Sequence, residues 1–406
     1  MTTILKDKQI ILGITGSIAA YKAVELASRL SQAGAKVDVL LSQSAEKFIS
    51  PLTFQSVTGR NAYTENDLWG GQAHVLHIGL GHTADLIVLA PCTANTLAKL
   101  AHGIADNLLS ITVLAASCPI LIAPAMDAGM YSHPATQENV SILSGRGIQF
   151  AGPVEGHMAS GLVGMGRMIE PIDLLGHIRK VLGAKGSLAG KKLLVTAGGT
   201  QEPIDPVRFI SNRSSGKQGY ALAQAAIDSG ASVTLISTPT ALTPPTGSTL
   251  VPVKTAEEMY DAVISNLQGR DALLMAAAVA DFRPQSKSKK KIKKRDGIPT
   301  LQLEPTKDIL SALNSKENSE LRPKIVVGFA AESQNLITNA GEKLKSKNLD
   351  MIAANDITAE DSGFTVDTNR VTLLFANKKS VELPLQSKSD IAEAIIKHLE
   401  TLLEDD

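Results

Sequence analysis

The chain has 406 residues, enough for two or three ordinary domains. Its 44% hydrophobic and 20% charged residues can bury a core, and 40 Lys+Arg against 40 Asp+Glu leave no net charge to draw it to nucleic acid or an anionic membrane. Aromatics at 3% leave few platforms for stacked bases, and two cysteines, Cys92 and Cys118, are too few for a disulfide framework or a cysteine-based zinc site.

Scarce cysteine fits a reducing cytoplasm. The N-terminus is broken by Lys6, Asp7 and Lys8 before its apolar run and lacks the layout of a signal peptide. No apolar run approaches the length of a membrane span. Short apolar runs then alternate with helical patterns, the signature of parallel sheets wrapped by helices. In the first half the predicted strands are Gln9–Ile14, Lys36–Leu41, Asp85–Ala90, Ile120–Ala123 and Ile148–Ala151, with helices such as Ala19–Gln32 and Thr93–Leu100 between them. Residues 183–190 are rich in Gly and small residues and read as a linker. A second series follows, with strands at Lys192–Ala197, Ser232–Ser237, Ala272–Ala277, Lys324–Gly328 and Met351–Ala354. Arg370–Ala376 reads as a late edge strand and Asp390–Leu403 as a closing amphipathic helix. The fold class is therefore α/β, two doubly wound Rossmann-like domains over 1–182 and 191–406.

The first strand leads into Gly13-Ile-Thr-Gly16-Ser17, and Lys22 follows one helical turn on. Such a turn lets the backbone approach a phosphate at a helix N-terminus. The spacing is not G-x-G-x-x-G, and the second strand ends at Leu41-Ser42 with no carboxylate placed for a ribose diol. A cofactor with one terminal phosphate, such as FMN, suits it better than NAD. A tight turn with no ligand is the plainer reading. The third strand ends in Pro91-Cys-Thr93-Ala94-Asn95-Thr96, which either faces the ligand crevice or caps a helix.

With His77-Ile-Gly-Leu80, Pro124-Ala-Met126, Pro134-Ala-Thr-Gln-Glu-Asn139 and Gly164-Met-Gly-Arg-Met168, these motifs resemble the homo-oligomeric flavin-containing cysteine decarboxylases over most of residues 5–180. The resemblance implies a flavodoxin-like domain that binds FMN through Gly16, Ser17, Ser42, Thr93, Ala94, Asn95 and Thr96. It implies acid/base work by His77, beside the substrate carboxylate and thiol, where an imidazole suits the working pH. The implied reaction oxidises a cysteinyl side chain toward a thioaldehyde, releases carbon dioxide and reduces the enethiolate. A metal site shared by His74, His77 and His82 is an alternative, although their spacing shares no helical face. Two positions depart from the pattern. Asp127 stands where Asn is usual, so it is protonated or holds another group. Ser160 stands where a cysteine proton donor is usual, and His157 is a candidate replacement.

In the second half, Asn212-Arg-Ser-Ser-Gly216-Lys217 precedes a helix as a phosphate nest or a simple cap. Ala276-Ala-Ala-Val-Ala-Asp281 ends a strand in an acid. Residues 286–295 are a lysine run, either a solvated loop or a basic flap over a triphosphate. These motifs resemble phosphopantothenate–cysteine ligase over most of residues 190–400. The resemblance implies that CTP and the acid form an acyl-CMP, with magnesium on the triphosphate, and that cysteine then attacks it. Asn212 would stabilise the acyl-cytidylate and Lys291 the charge at the α-phosphate, while Asp281, Phe329, Lys343 and Lys347 hold CTP. Thr306-Lys-Asp-Ile309 departs from the usual Asn-Pro-Asp-Ile. The two sets together resemble the bacterial bifunctional enzymes of coenzyme A biosynthesis, acting on small molecules without nucleic acid or membrane, as homo-oligomers. The alternatives are a ligase whose first domain only binds flavin or scaffolds the oligomer, a flavin prenyltransferase, and a nucleic-acid-binding module using the lysine run.

Overall fold

The structure is a computed structural model that describes residues 3–69, 73–158, 161–294, 299–332, 334–356 and 367–404. It divides into two compact units, Met1–Leu182 and Gly183–Asp406.

The first unit runs β1 (Gln9–Ile14), α1 (Ala20–Gln32), β2 (Lys36–Leu41), α2 (Pro51–Thr58), β3 (Ala62–Tyr63), α3 (Ala73–Thr83), β4 (Leu86–Cys92), α4 (Ala94–His102) and α5 (Leu108–Ala115). It continues through β5 (Ile120–Pro124), α6 (Ala128–Ser132), α7 (Pro134–Gly145), β6 (Gln149–Phe150), β7 (Val154–His157), β8 (Val163–Arg167) and α8 (Pro171–Gly183). The main sheet has the order β3-β2-β1-β4-β5-β6, parallel throughout. Without the two-residue β3 this is the flavodoxin-like 2-1-3-4-5 order. The strands are apolar at successive positions because both faces are covered. Ile10, Leu12 and Ile14 enter one core layer with α1, while Ile11 enters the other with Leu97 and Ala101 of α4. Helix ends follow local chemistry. Ser50 caps α2 with Pro51 at its first position, Gly59 closes it left-handed, and Asn107 and Ser110 form a capping box on α5. Outside this sheet, β7 and β8 form an antiparallel hairpin.

The second unit runs β9 (Lys192–Ala197), β10 (Gln201–Pro203), β11 (Phe209–Ser211), α9 (Lys217–Asp228), β12 (Ser232–Ser237), β13 (Thr249–Pro252), α10 (Ala256–Asn266), β14 (Ala272–Met275), β15 (Phe282–Pro284) and β16 (Leu303–Pro305). Then come α11 (Ile309–Leu313), β17 (Ile325–Glu332), α12 (Leu336–Ser346), β18 (Met351–Asp356), β19 (Thr368–Phe375), β20 (Ser380–Ser387) and α13 (Lys388–Glu404). Its sheet order is β13-β12-β9-β14-β17-β18-β19-β20, parallel as far as β18 and antiparallel beyond. The expected edge strand at 370–376 is therefore internal. The edge is β20, whose polar alternation hid it from an apolar-run reading. The stretch 183–190 is fixed onto this unit, with Leu188 fully buried and its N–H donated to the Ser229 carbonyl at 2.8 Å.

Gly219 shows how tightly α9 meets β9. A Cβ at that position would lie 2.8 Å from the Thr196 carbonyl oxygen and 2.6 Å from the Ala197 Cβ. Gly219→Ala should lower stability by about 1–3 kcal/mol, the usual cost of overpacking. Thermal unfolding of the purified variant reads this directly, and an unchanged midpoint would show that α9 can slide.

Candidate active sites

In the first unit, β1 feeds α1 on one face of the sheet and β4 feeds α4 on the other. The loops after the two strands diverge at the switch in strand order, the place where such sheets bind their ligands. Thr15 ties the two loops together. Its buried hydroxyl donates to the Pro91 carbonyl at 2.8 Å and accepts the Thr93 N–H at 3.0 Å. Gly16 packs against the loop after β2, where a Cβ would come within 2.5 Å of the Ser44 Cβ. Only glycine allows that approach without a shift. Ser42, on the same loop, accepts the Ala45 N–H at 3.3 Å, and Ser17 accepts the Ala19 N–H at 3.3 Å. Thr93 caps α4 through the Thr96 N–H, with Ala94 and exposed Asn95 in the first turn.

His77 lies on α3, half-buried, and its buried Nδ1 has no hydrogen-bond partner among the described residues. Asp127 is half-buried and caps α6 by accepting the Gly129 N–H at 2.9 Å. The β7–β8 hairpin closes over this loop, with the Met126 N–H donated to the Gly166 carbonyl at 3.0 Å. Ser160 lies outside the described residues. No group of three or more His, Cys, Asp or Glu side chains could hold a metal among the described residues. Lys22, part of the first motif, is structural. It is 5% exposed and donates to the Met168 carbonyl at 2.9 Å and to Glu170 at 2.8 Å.

The second unit repeats the design. β9 feeds α9 on one face, and the segment after β14 reaches α11 on the other. The loops after the two strands are again tied together. The Ala278 N–H donates to the Gly198 carbonyl at 2.8 Å, and fully buried Thr200 accepts the Ala280 N–H at 2.9 Å. The Asn212 amide donates to the Val279 carbonyl at 3.1 Å and lies 3.4 Å from that of Ala278. Beside this platform opens a cavity of about 1000 Å³, the size that takes a nucleotide-sized ligand.

Asn212, Asp281, Phe329, Lys343 and Lys347 all line that cavity. Lys343 donates to the Phe329 carbonyl at 3.0 Å, and Lys347, one turn on, donates to Asp308 at 2.5 Å and to Ser311 at 2.7 Å. Burial would raise the Asp308 carboxyl, but the Lys347 ammonium and the Ser311 N–H outweigh it and hold Asp308 below its usual value. The Thr306–Ile309 segment lines the cavity despite its departure from the family pattern, with the Thr306 hydroxyl donated to the Ala280 carbonyl at 2.6 Å. Lys291 is exposed and does not line the cavity.

Residues 2–183 match the Flavoprotein family, and residues 188–403 match the DNA/pantothenate metabolism flavoprotein C-terminal domain. Coenzyme A biosynthesis bifunctional protein CoaBC of Bacillus subtilis (strain 168) is 45% identical over 98% of this chain and 98% of its own. The protein of that name from Vibrio vulnificus (strain CMCP6) is 43% identical over 98% of this chain and 99% of its own. The chain belongs to this bifunctional coenzyme A biosynthesis family. A crystal structure of the C-terminal domain of such a protein matches at 42% identity and a TM-score of 0.47, covering 54% of this chain and all of that one. Membership over the full length excludes a nucleic-acid module or a prenyltransferase as the account of the whole chain.

Two cavity residues of this family member escaped sequence reasoning. Asn369, 5% exposed, accepts a hydrogen bond from Asn355 at 3.1 Å, and Lys388 is 7% exposed at the start of α13. Burial, together with nearby Lys217, holds the Lys388 ammonium below its usual pKa, against the opposing pull of Asp367. Neither has a local signal, because Lys388 meets Gln218 across 170 positions of chain.

The Lys22–Glu170 pair yields a pH test. The Lys22 ammonium, helped by Arg167, holds Glu170 below its ordinary 4.5. The stabilisation is therefore complete above about pH 4.5 and is lost as pH falls through the lowered folded value. The difference in thermal midpoint between the parent and Lys22→Met should be constant from pH 5.5 to 7 and narrow below about pH 4.5. A gap that stays level into acid would show that Glu170 does not carry it.

Proposed function

We propose that this chain converts 4′-phosphopantothenate to 4′-phosphopantetheine in two steps, a CTP-dependent ligation of cysteine and an FMN-dependent decarboxylation. The observation that carries the ligase half is the convergence of Asn212, Asp281, Phe329, Lys343 and Lys347 on one cavity. In this reading the substrate carboxylate attacks the α-phosphorus of CTP, the bond to the β-phosphate breaks and pyrophosphate leaves. The amine of cysteine then attacks the acyl carbon, and CMP leaves. Asn212 is held in place by two carbonyls before any ligand arrives, which suits it to orient the acyl-cytidylate. Lys343 and Lys347 lie on one face of α12 and its end and offer two ammonium groups to the triphosphate. The Asp281 carboxylate at the cavity wall would help to hold a magnesium ion carried by the nucleotide, which would neutralise charge on the triphosphate.

In the first unit the residues fit a flavin monophosphate. Gly16 lets the turn after β1 pack against Ser44, and Ser17, Ser42 and Thr93 offer hydroxyls around it. FMN, when bound, supplies reversible two-electron redox chemistry. His77, whose buried Nδ1 has no partner among the described residues, holds or moves a proton at the substrate. Asp127 spends one carboxylate oxygen on the Gly129 N–H and orients the loop beside it. Ser160 would supply a far weaker acid than the cysteine of the pattern, so the final protonation is expected to be slow. The ligase-only alternative is not favoured, since both halves belong to the bifunctional family. Membership of a coenzyme A biosynthesis family supports action in the cytoplasm, and no described helix is long and apolar enough to cross a membrane. The resemblance of the first unit to the homo-oligomeric flavin-containing cysteine decarboxylases supports a homo-oligomer.

Incubation with phosphopantothenate, cysteine, CTP and magnesium, read by mass spectrometry, should yield phosphopantetheine from a yellow protein. Accumulated phosphopantothenoylcysteine as the sole product would overturn the decarboxylase half, and absence of pyrophosphate would overturn the ligase half. His77→Gln should stop carbon dioxide release while leaving pyrophosphate release intact. Asn212→Ala should slow ligation by about 10²-fold, the scale of a misplaced reacting group.

A further inference from the structure

Six lysines lie between Ser286 and Arg295, and they repel one another. Nothing in their own sequence would order them. The described part of this segment is nevertheless fastened at two points to the turn between β10 and β11. The Ser288 N–H donates to the Ile204 carbonyl at 2.9 Å. Four residues on, both backbone groups of Ile292 are held. Its N–H donates to Asp205 Oδ2 at 3.2 Å, and its carbonyl accepts from Arg208 Nη2 at 2.5 Å.

Asp205 is built for this. Its side chain is fully buried. Its Oδ1 accepts the N–H groups of Val207 and Arg208, each at 2.8 Å, which fixes the turn. Its Oδ2 faces Ile292 and lies 3.5 Å from Arg208 Nε. The Val207 N–H, then those of Ile292 and Arg208, keep the carboxylate charged below its usual pKa despite burial. The strand leaving this turn, β11, delivers Asn212 to the cavity within four residues of Arg208.

We propose that Asp205 and Arg208 are positioning residues for Lys291: by clasping both backbone groups of Ile292 they anchor the lysine segment to the hairpin that carries Asn212. This rests on the ligase reading of Lys291. The clasp holds the backbone next to Lys291 while the Lys291 side chain stays exposed. Holding a reacting group in place before the reaction removes ordering entropy from the barrier, and a displacement of about 1 Å can cost about 10²-fold.

Asp205→Asn isolates the effect. An amide can keep its oxygen at Oδ1 for the turn while presenting NH₂ at Oδ2, where it cannot accept from Ile292. At saturating substrates, Asp205→Asn should lower the kcat of pyrophosphate release about 10- to 100-fold, with KM for cysteine unchanged. Trypsin should cut the 287–294 segment faster in the variant than in the parent. Lys291→Gln should also lower kcat, and the double variant should be no slower than Lys291→Gln alone, because Asp205 acts through Lys291. If the two losses multiply, or if Asp205→Asn runs at the parent rate, the clasp does not position Lys291. If Lys291→Gln itself runs at the parent rate, the role of Lys291 fails first and the proposal with it. Should Asp205→Asn fail to fold, Arg208→Met, which leaves all three N–H bonds to Asp205 in place, carries the same cycle.

Discussion

One buried threonine hydroxyl in each unit holds the site open in a defined shape. Where neighbouring parallel strands send their helices to opposite faces, the loops at their ends part. Parting exposes backbone groups that the ladder no longer pairs, and such groups must find partners. Thr15 bridges to Pro91 and Thr93, and Thr200 accepts from Ala280. Both are almost completely buried. Each bond spans nearly eighty residues of chain, so the crevice forms only when its sheet is complete. The site is therefore as rigid as the core beneath it.

Everything nearer the ligand hangs from these ties. In the first unit the Thr93 N–H that Thr15 accepts belongs to the residue that caps α4. In the second, the carbonyls of Ala278 and Val279, on the loop that Thr200 steadies, receive the Asn212 amide. Core packing thus sets side-chain aim through backbone hydrogen bonds, with no charge needed. Charges are added to this frame, and Lys343 and Lys347 are pre-aimed by a carbonyl and a carboxylate. Partners of this kind hold an ammonium in place and still yield to phosphate, which offers more oxygens and more charge.

The parts legible in the sequence are those under the strongest local constraint. Gln9–Ile14, Lys36–Leu41, Lys192–Ala197 and Ser232–Ser237 are apolar because both sheet faces are buried, and their observed bounds coincide with the runs read from sequence. The hairpins β7–β8, β10–β11 and β15–β16 lack that constraint. Their strands are short, and β8 carries two glycines with mostly half-exposed or exposed positions. Polar strand β20 escaped for the same reason. The nucleotide-sized cavity was legible as separate motifs, since each motif ends a strand or begins a helix. Its buried closing residues were not. Lys388 looks like one more surface lysine until α13 packs against α9 and brings it beside Gln218.

Asp205 shows why a buried carboxylate can be a better fastener than an exposed salt bridge. An ion pair at the surface is screened and contributes about 0–1 kcal/mol, with two long side chains to order. A carboxylate sealed beneath a turn and filled by backbone N–H groups orders its neighbours at no further side-chain cost, and removing one donor leaves a buried oxygen less well satisfied. That asymmetry suits a loop made almost wholly of lysine. The lysines cannot bury themselves, so order must be imposed from the hairpin side, through backbone groups that leave the ammonium groups exposed. The same turn then fixes the approach of Asn212, and two groups far apart in the chain share one mechanical reference.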